Sequence, residues 1–252
     1  MDTTAMPSRL CVGIPVVSFA IRKHQSPLMS QTHSAKLISI TPKAEDLIAY
    51  CARVSNPKNQ ENYDTAPRLL RYCIANGHWS PFEMANMVVE ISTTRAISPQ
   101  ILRHRSFSFQ EFSQRYAEVA LRPELPEMRR QDTKNRQNSI GDLSDDVVSR
   151  CDALTASSIA VAMKTYQDLL SMGVAKECAR EVLPLATPTK LFMNGTIRSW
   201  LHYVSLRTGN GTQKEHRVIA EQIRAIMEKE LPSVAYAMWP QLQWQQEHTM
   251  DV

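Results

Sequence analysis

Apolar and polar positions alternate along residues 36–40 closely enough to predict a strand, after which Thr41 and Pro42 read as the cap and first residue of a helix running toward Arg53. Asp64 or Thr65 is placed to cap a second helix starting near Pro67, with Leu69, Leu70, Cys73 and Ile74 on its apolar side and Gly77 at its end. Residues 84–94 are rich in Val, Ile and Thr, and Met87, Val89 and Ile91 recur every second residue, as one face of a strand requires. A short helix is expected over residues 95–102 despite Pro99, then a loop from Arg103 and a further strand near residues 112–116.

Helical periods dominate the remainder. Residues 122–141 are polar and proline-marked and read as an exposed connection, whereas residues 144–172 carry a long helical pattern stopped by Gly173. A short helix over residues 175–183 should end before Pro184. Apolar positions in residues 197–206 recur at helical spacing before Gly209, and residues 213–230 predict another helix. Strands early and helices late favour an α+β fold with an antiparallel-rich sheet over alternating βαβ units.

Length and composition narrow the picture. A chain of 252 residues can bury one substantial core, and we expect a flexible extension over residues 1–34, one domain over residues 35–240 and a tail over residues 241–252. The longest apolar stretch, residues 10–21, is broken by Gly13, Pro15 and Ser18 and falls short of the roughly 20 residues of a membrane helix, so a soluble protein with no membrane partner is expected. Asp2 and the lack of a small-residue cleavage site argue against secretion; Arg9, Arg22 and Lys23 in an acid-poor start leave an organelle-targeting segment open. Cys11, Cys51, Cys73, Cys151 and Cys178 form no CxxC pair and are odd in number, which disfavours a disulfide framework or a metal site and fits reduced thiols in the cytoplasm. Cys178, near Arg180, could be a nucleophile but reads better as a buried small hydrophobe.

The net charge of +4 suits anionic ligands without specifying them. No zinc-finger, homeodomain or RNP pattern points to nucleic acid, and the seven glycines build no GxGxxG turn, so small anionic molecules are favoured and a Rossmann site is not expected. The densest chemistry lies in residues 100–116, where Arg103, His104, Arg105, Glu111, Ser113 and Arg115 alternate with Phe107, Phe109 and Phe112. A solvated basic face is one reading. The phenylalanines favour a half-buried segment whose guanidinium forks need anionic oxygens, as a nucleotide would provide.

The order and spacing of several motifs support that reading. Arg103-His104-Arg105 is followed after seven residues by Ser113, with Arg115 and Tyr116 beyond. Ala52-Arg53-Val54-Ser55 and Gly77-His78-Trp79-Ser80-Pro81-Phe82-Glu83 precede it. Glu177-Cys178-Ala179-Arg180-Glu181-Val182-Leu183-Pro184, Thr196-Ile197-Arg198 and Leu206-Arg207 follow. Together they resemble the flavin-dependent thymidylate synthases over about residues 35–239. The resemblance implies an α+β homotetramer in which NADPH reduces FAD and methylenetetrahydrofolate donates the carbon that converts dUMP to dTMP, releasing tetrahydrofolate.

By the same resemblance, Ser55, Ser80, Glu83, Arg103, His104, Arg105 and Arg198 are flavin-site positions, and His78 lies beside flavin and folate. His202 matches a variant that touches flavin, although a core or surface histidine fits it equally. Gln100, Arg103, Glu111, Ser113, Arg115, Arg180 and Arg207 are implied nucleotide positions. Among these, Glu111 orients donors or the sugar, Ser113 binds rather than attacks, and Arg207 stabilises charge on the uracil. Thr196, where many members have asparagine, and Gly211, where some have histidine, depart from the pattern. Each position also has a plain structural reading: a helix end for Ser55, a turn for Ser80, a surface acid for Glu83, pairing with Glu177 or Glu181 for Arg180, and dipole complementation for Arg207. A different flavin or nucleotide oxidoreductase and an RNA-binding module are the rival functions.

Overall fold

The computed structural model describes residues 32–119 and 123–240, so expectations for residues 1–31, including Cys11, and for residues 241–252 lie outside it. The first strand, β1 (Ser34–Ile40), leads to α1 (Ala44–Ala52) and α2 (Ala66–Ala75), then to β2 (Asn86–Thr94). A one-turn α3 (Ser98–Ile101) and β3 (Ser108–Glu111) follow, then a short hairpin of β4 (Arg130–Gln131) and β5 (Ser139–Ile140). The long α4 (Asp145–Ser171) and short α5 (Lys176–Ala179) precede β6 (Pro188–Thr196), α6 (Ile197–Arg207), α7 (Lys214–Glu230) and α8 (Pro232–Met238).

One antiparallel sheet in the order β1-β2-β6-β3 organises these elements. Met87, Val89 and Ile91 of β2 face Gly195, Met193 and Leu191 of β6 in register, and all but the glycine are fully buried side chains. Period-two alternation thus gives the sheet one apolar face, on which Ile48, Leu70, Trp200, Val204, Ile219 and Ile223 close the core. Trp200 satisfies its indole N–H by donating to the Met87 carbonyl at 3.0 Å, so its burial leaves no orphaned donor. The opposite face carries polar side chains, including a 3.2 Å Lys190–Glu90 ion pair. α4 contributes Tyr166 to a smaller core with Val119 and Ala179.

Several expectations need correction. The first helix is preceded by Lys43 at φ 49°, not capped by Thr41, whose hydroxyl instead accepts from the Asn86 backbone at 2.9 Å and ties β1 to β2. The strand expected near residues 112–116 is β3, four residues earlier, because Ser113 turns the chain by accepting at its carbonyl from Tyr116 and Ala117. The polar connection at residues 122–141 contains the β4–β5 hairpin, and α8 was not anticipated. β6 was not anticipated either: Pro188, Lys190, Asn194 and Gly195 mask the alternation of Thr189, Leu191 and Met193. The long helix agrees closely with its signals, Ser144 at the N-cap and Gly173 at φ 84° past its end.

Candidate active site

The 3.6-residue period of α6 places Tyr203 and Arg207 one turn apart, and Arg207 is the last residue of that helix. Facing it, the chain leaving α3 turns back on itself, with the His104 amide donating to the Ile101 carbonyl at 3.1 Å. Arg207 Nε then donates to His104 Nε2 at 2.8 Å. An arginine offers only donors, so this bond needs a neutral imidazole that carries its proton on Nδ1. Burial first, then the Arg207 guanidinium and His202, push the His104 pKa down to about 4.

Beneath His104 lies a second, fully buried histidine. Tyr203 packs edge-on to the His104 ring with centroids 4.8 Å apart, and its hydroxyl is hydrogen-bonded to His216 Nε2 at 3.0 Å. Burial, with Arg207 and His104, lowers His216 to about 3, and its Nδ1 has no partner among the described residues. Both folded values lie below the 6.5 of an unperturbed imidazole. The unfolded chain therefore binds more protons as pH falls through that value, and stability is lost progressively until the folded histidines titrate. We expect the urea midpoint to drop between pH 7 and pH 5 and the drop to be shallower in His216→Gln; an unchanged slope would assign the acid sensitivity elsewhere.

Three further groupings hold the remaining candidates. Glu83, in a 3-10 turn at Ser80–Glu83, pairs with Arg198 in the first turn of α6, so the supposed surface acid is tied to the helix. Gly77 at φ 69° leads the chain from α2 toward that turn, with His78 exposed and edge-on to Tyr72 at 5.7 Å. Ser80 and, after α1, Ser55 are exposed. In the second grouping Glu177 gives its carboxylate to Arg115 at 3.0 Å and its carbonyl to Arg180 Nε at 3.3 Å, so Arg180 takes the backbone of Glu177 rather than either acid. In the third, Glu111 Oε1 accepts from Arg95 Nη1 at 2.6 Å, Ser98 Oγ at 2.7 Å and Thr189 Oγ1 at 3.0 Å.

Gln100 donates to Gln213 at 2.8 Å, while Arg103, Arg105 and His202 are exposed. Neither Arg103 nor Arg105 has a carboxylate within ion-pair distance among the described residues. Phe107 and Phe109 are half-buried as expected, but Phe112 is exposed. Cys178 is exposed too, contrary to the buried hydrophobe expected of it. Of two hollows, one of about 320 Å³ lies against Pro67, Arg71 and Tyr236, and one of about 70 Å³ lies against Arg129, Lys214, Arg217 and Gln213, the partner of Gln100. The supports Arg95, Ser98, Thr189, Tyr203 and His216 escaped the sequence reading. Only Tyr203, one helical turn before Arg207, carried a signal that could have marked it.

A family model described as thymidylate synthase complementing protein matches residues 36–233. A probable flavin-dependent thymidylate synthase of Paramecium bursaria Chlorella virus 1 is 52% identical over 212 residues, 81% of this chain and 98% of the relative. The flavin-dependent thymidylate synthase of a Synechocystis species is 54% identical over 194 residues, 77% of this chain and 89% of the relative. The crystal structure of the UMP/dUMP methylase PolB from Streptomyces cacaoi bound with 5-Br dUMP superposes with a TM-score of 0.70 at 27% identity, covering 81% of this chain and 93% of that one. With the Arg-His-Arg segment and α6 joined by the Arg207–His104 hydrogen bond, and with the match running from β1 to α8, the chain belongs to the flavin-dependent thymidylate synthase family.

Proposed function

We propose that this enzyme converts dUMP to dTMP, taking one carbon from methylenetetrahydrofolate and two reducing equivalents from NADPH through FAD, with tetrahydrofolate and NADP⁺ released. The observation that carries the reading is the Arg207–His104 bond, which joins motifs 103 residues apart into one polar centre. Bound FAD would supply the hydride chemistry, and the chain supplies positioning and charge. Arg103 and Arg105, exposed and without acidic partners among the described residues, suit its pyrophosphate, with Arg198, Ser55 and Ser80 as further donors and His104 within the same segment. His78 and His202 offer exposed imidazoles that can flank flat rings.

For the nucleotide, Arg115, Ser113 and Arg180 suit the phosphate, while Gln100, Arg103 and Glu111 provide donors and an acceptor for sugar and base. Arg207 is held through Nε, so its Nη groups are left to meet the uracil carbonyl and stabilise the negative charge that develops as the ring is activated. Ser113 lies in no nucleophile elbow and acts as a binding group. The exposure of Arg103, Arg105, Arg115 and Arg198 in one protomer supports a pocket completed by other copies in a homotetramer. Among the described residues no helix is long and apolar enough to cross a membrane, and the cysteines are unpaired, which supports a cytoplasmic setting.

Anaerobic turnover with FAD, NADPH, dUMP and methylenetetrahydrofolate should yield dTMP. A flavin-loaded protein that oxidises NADPH without forming dTMP would belong to another oxidoreductase activity. A colourless protein with salt-sensitive affinity for single-stranded RNA would favour the nucleic-acid alternative.

A further inference from the structure

Glu111 ends β3, yet its side chain is fixed by groups from three other places in the chain. Arg95 follows β2, Ser98 opens α3 and is fully buried, and Thr189 lies on β6 at 5% exposure. All three donate to the same oxygen, Oε1, at 2.6, 2.7 and 3.0 Å. Backbone bonds clasp the same corner, from the Arg95 amide to the Thr187 carbonyl and from the Ala96 amide to the Leu185 carbonyl, each at 2.9 Å. The second oxygen, Oε2, takes no hydrogen bond from any described residue.

A carboxylate that serves only to tie strands together would gain by sharing its donors between both oxygens. Here one oxygen accepts every donor and the other keeps its lone pairs, with the side chain still 18% exposed. We propose that Arg95, Ser98 and Thr189 are positioning residues that aim Glu111 Oε2 at a single N–H or O–H donor of the bound nucleotide. The inference rests on the reading of Glu111 as a nucleotide contact and adds how it is made selective.

Charge decides which end of the nucleotide Oε2 can read. An anionic oxygen would repel the phosphate, for which Ser113 and Arg115, two and four residues further along, are the suited partners. Oε2 is left with the neutral donors of the nucleotide, a sugar hydroxyl or the N3–H of uracil. Because an ionised carboxylate only accepts, the site should reject an analogue in which that donor is missing or replaced by an acceptor.

The test uses the flavin-loaded full-length protein, with dUMP binding measured by calorimetry and flavin content and melting temperature recorded alongside. Thr189→Val and Ser98→Ala should each weaken dUMP about tenfold with flavin content unchanged, the loss expected when a charge-assisted hydrogen bond is removed. Combined with Glu111→Ala, Thr189→Val should add no further loss, because its effect runs through the carboxylate. Two analogues, 2′,3′-dideoxyuridine monophosphate and N3-methyl-dUMP, identify the donor: the Thr189→Val penalty should vanish for whichever lacks the group that Oε2 reads. Lower melting temperatures with wild-type dUMP affinity in both hydroxyl variants would make the cluster a structural tie and overturn the proposal. Wild-type affinity in Glu111→Ala alone would instead overturn Glu111 as a nucleotide contact, and absence of dUMP binding in the unmodified protein would overturn the functional reading itself.

Discussion

Arg207→Ala is expected to abolish most thymidylate formation while the protein keeps its flavin and its fold. Among the described residues the guanidinium is held at the end of α6 by one bond, from Nε to His104 Nε2 at 2.8 Å, and it contributes nothing to the apolar core. Removing a preorganised donor aimed at developing charge costs about 10²- to 10³-fold in turnover in other enzymes, and that is the loss expected in kcat here. Arg207→Lys should recover little, because an ammonium offers neither the Nε–H that His104 accepts nor a second, parallel donor. Steady-state dTMP production with the flavin spectrum as control checks the result. Full activity in the alanine variant would remove Arg207 from the mechanism.

The largest effect on stability is expected from Gly195→Ala. Gly195 lies on β6 opposite Met87, and a Cβ there would stand 2.4 and 2.6 Å from Phe107 ring carbons. The Phe107 ring has little room to retreat, since it packs on Trp200 with centroids 4.7 Å apart and on Tyr203 at 6.0 Å. Overpacking of this kind costs about 1 to 3 kcal/mol, and the rigid aromatic neighbours place this site at the upper end. Phe107 also lies two residues after Arg105, so the displaced ring should carry the Arg-His-Arg segment with it and lower flavin content together with the urea midpoint. Adding Phe107→Leu should restore part of the lost stability. An alanine variant as stable as the parent would mean that Phe107 does not occupy the space above Gly195.

Elements with strong local signals were legible in the chain. β2 followed from its period of two and its β-branched residues, and α4 from an unbroken helical period between Ser144 and Gly173. Where opposing local signals mixed, the reading failed. β6 pairs with both β2 and β3, yet its proline, lysine, asparagine and glycine hid it, and the strand after the Arg-His-Arg segment was placed too late. Cys178 was misjudged because a four-residue helix gives no period from which to read a buried side.

Motif order and spacing determined the family and marked Arg103, His104, Glu111, Ser113, Arg115 and Arg207 as candidates without any coordinates. Residue types at fixed separations record a chemistry, but not which neighbours complete it. Partners 103 residues apart at His104 and 78 apart at Glu111 meet only because β6 pairs with β3 and α6 follows directly from β6. Hydrogen bonds of about 3 Å between such distant positions leave no periodic trace along the chain, so the bond that holds Arg207, the neutrality of His104 and the single saturated oxygen of Glu111 were decided by tertiary packing alone.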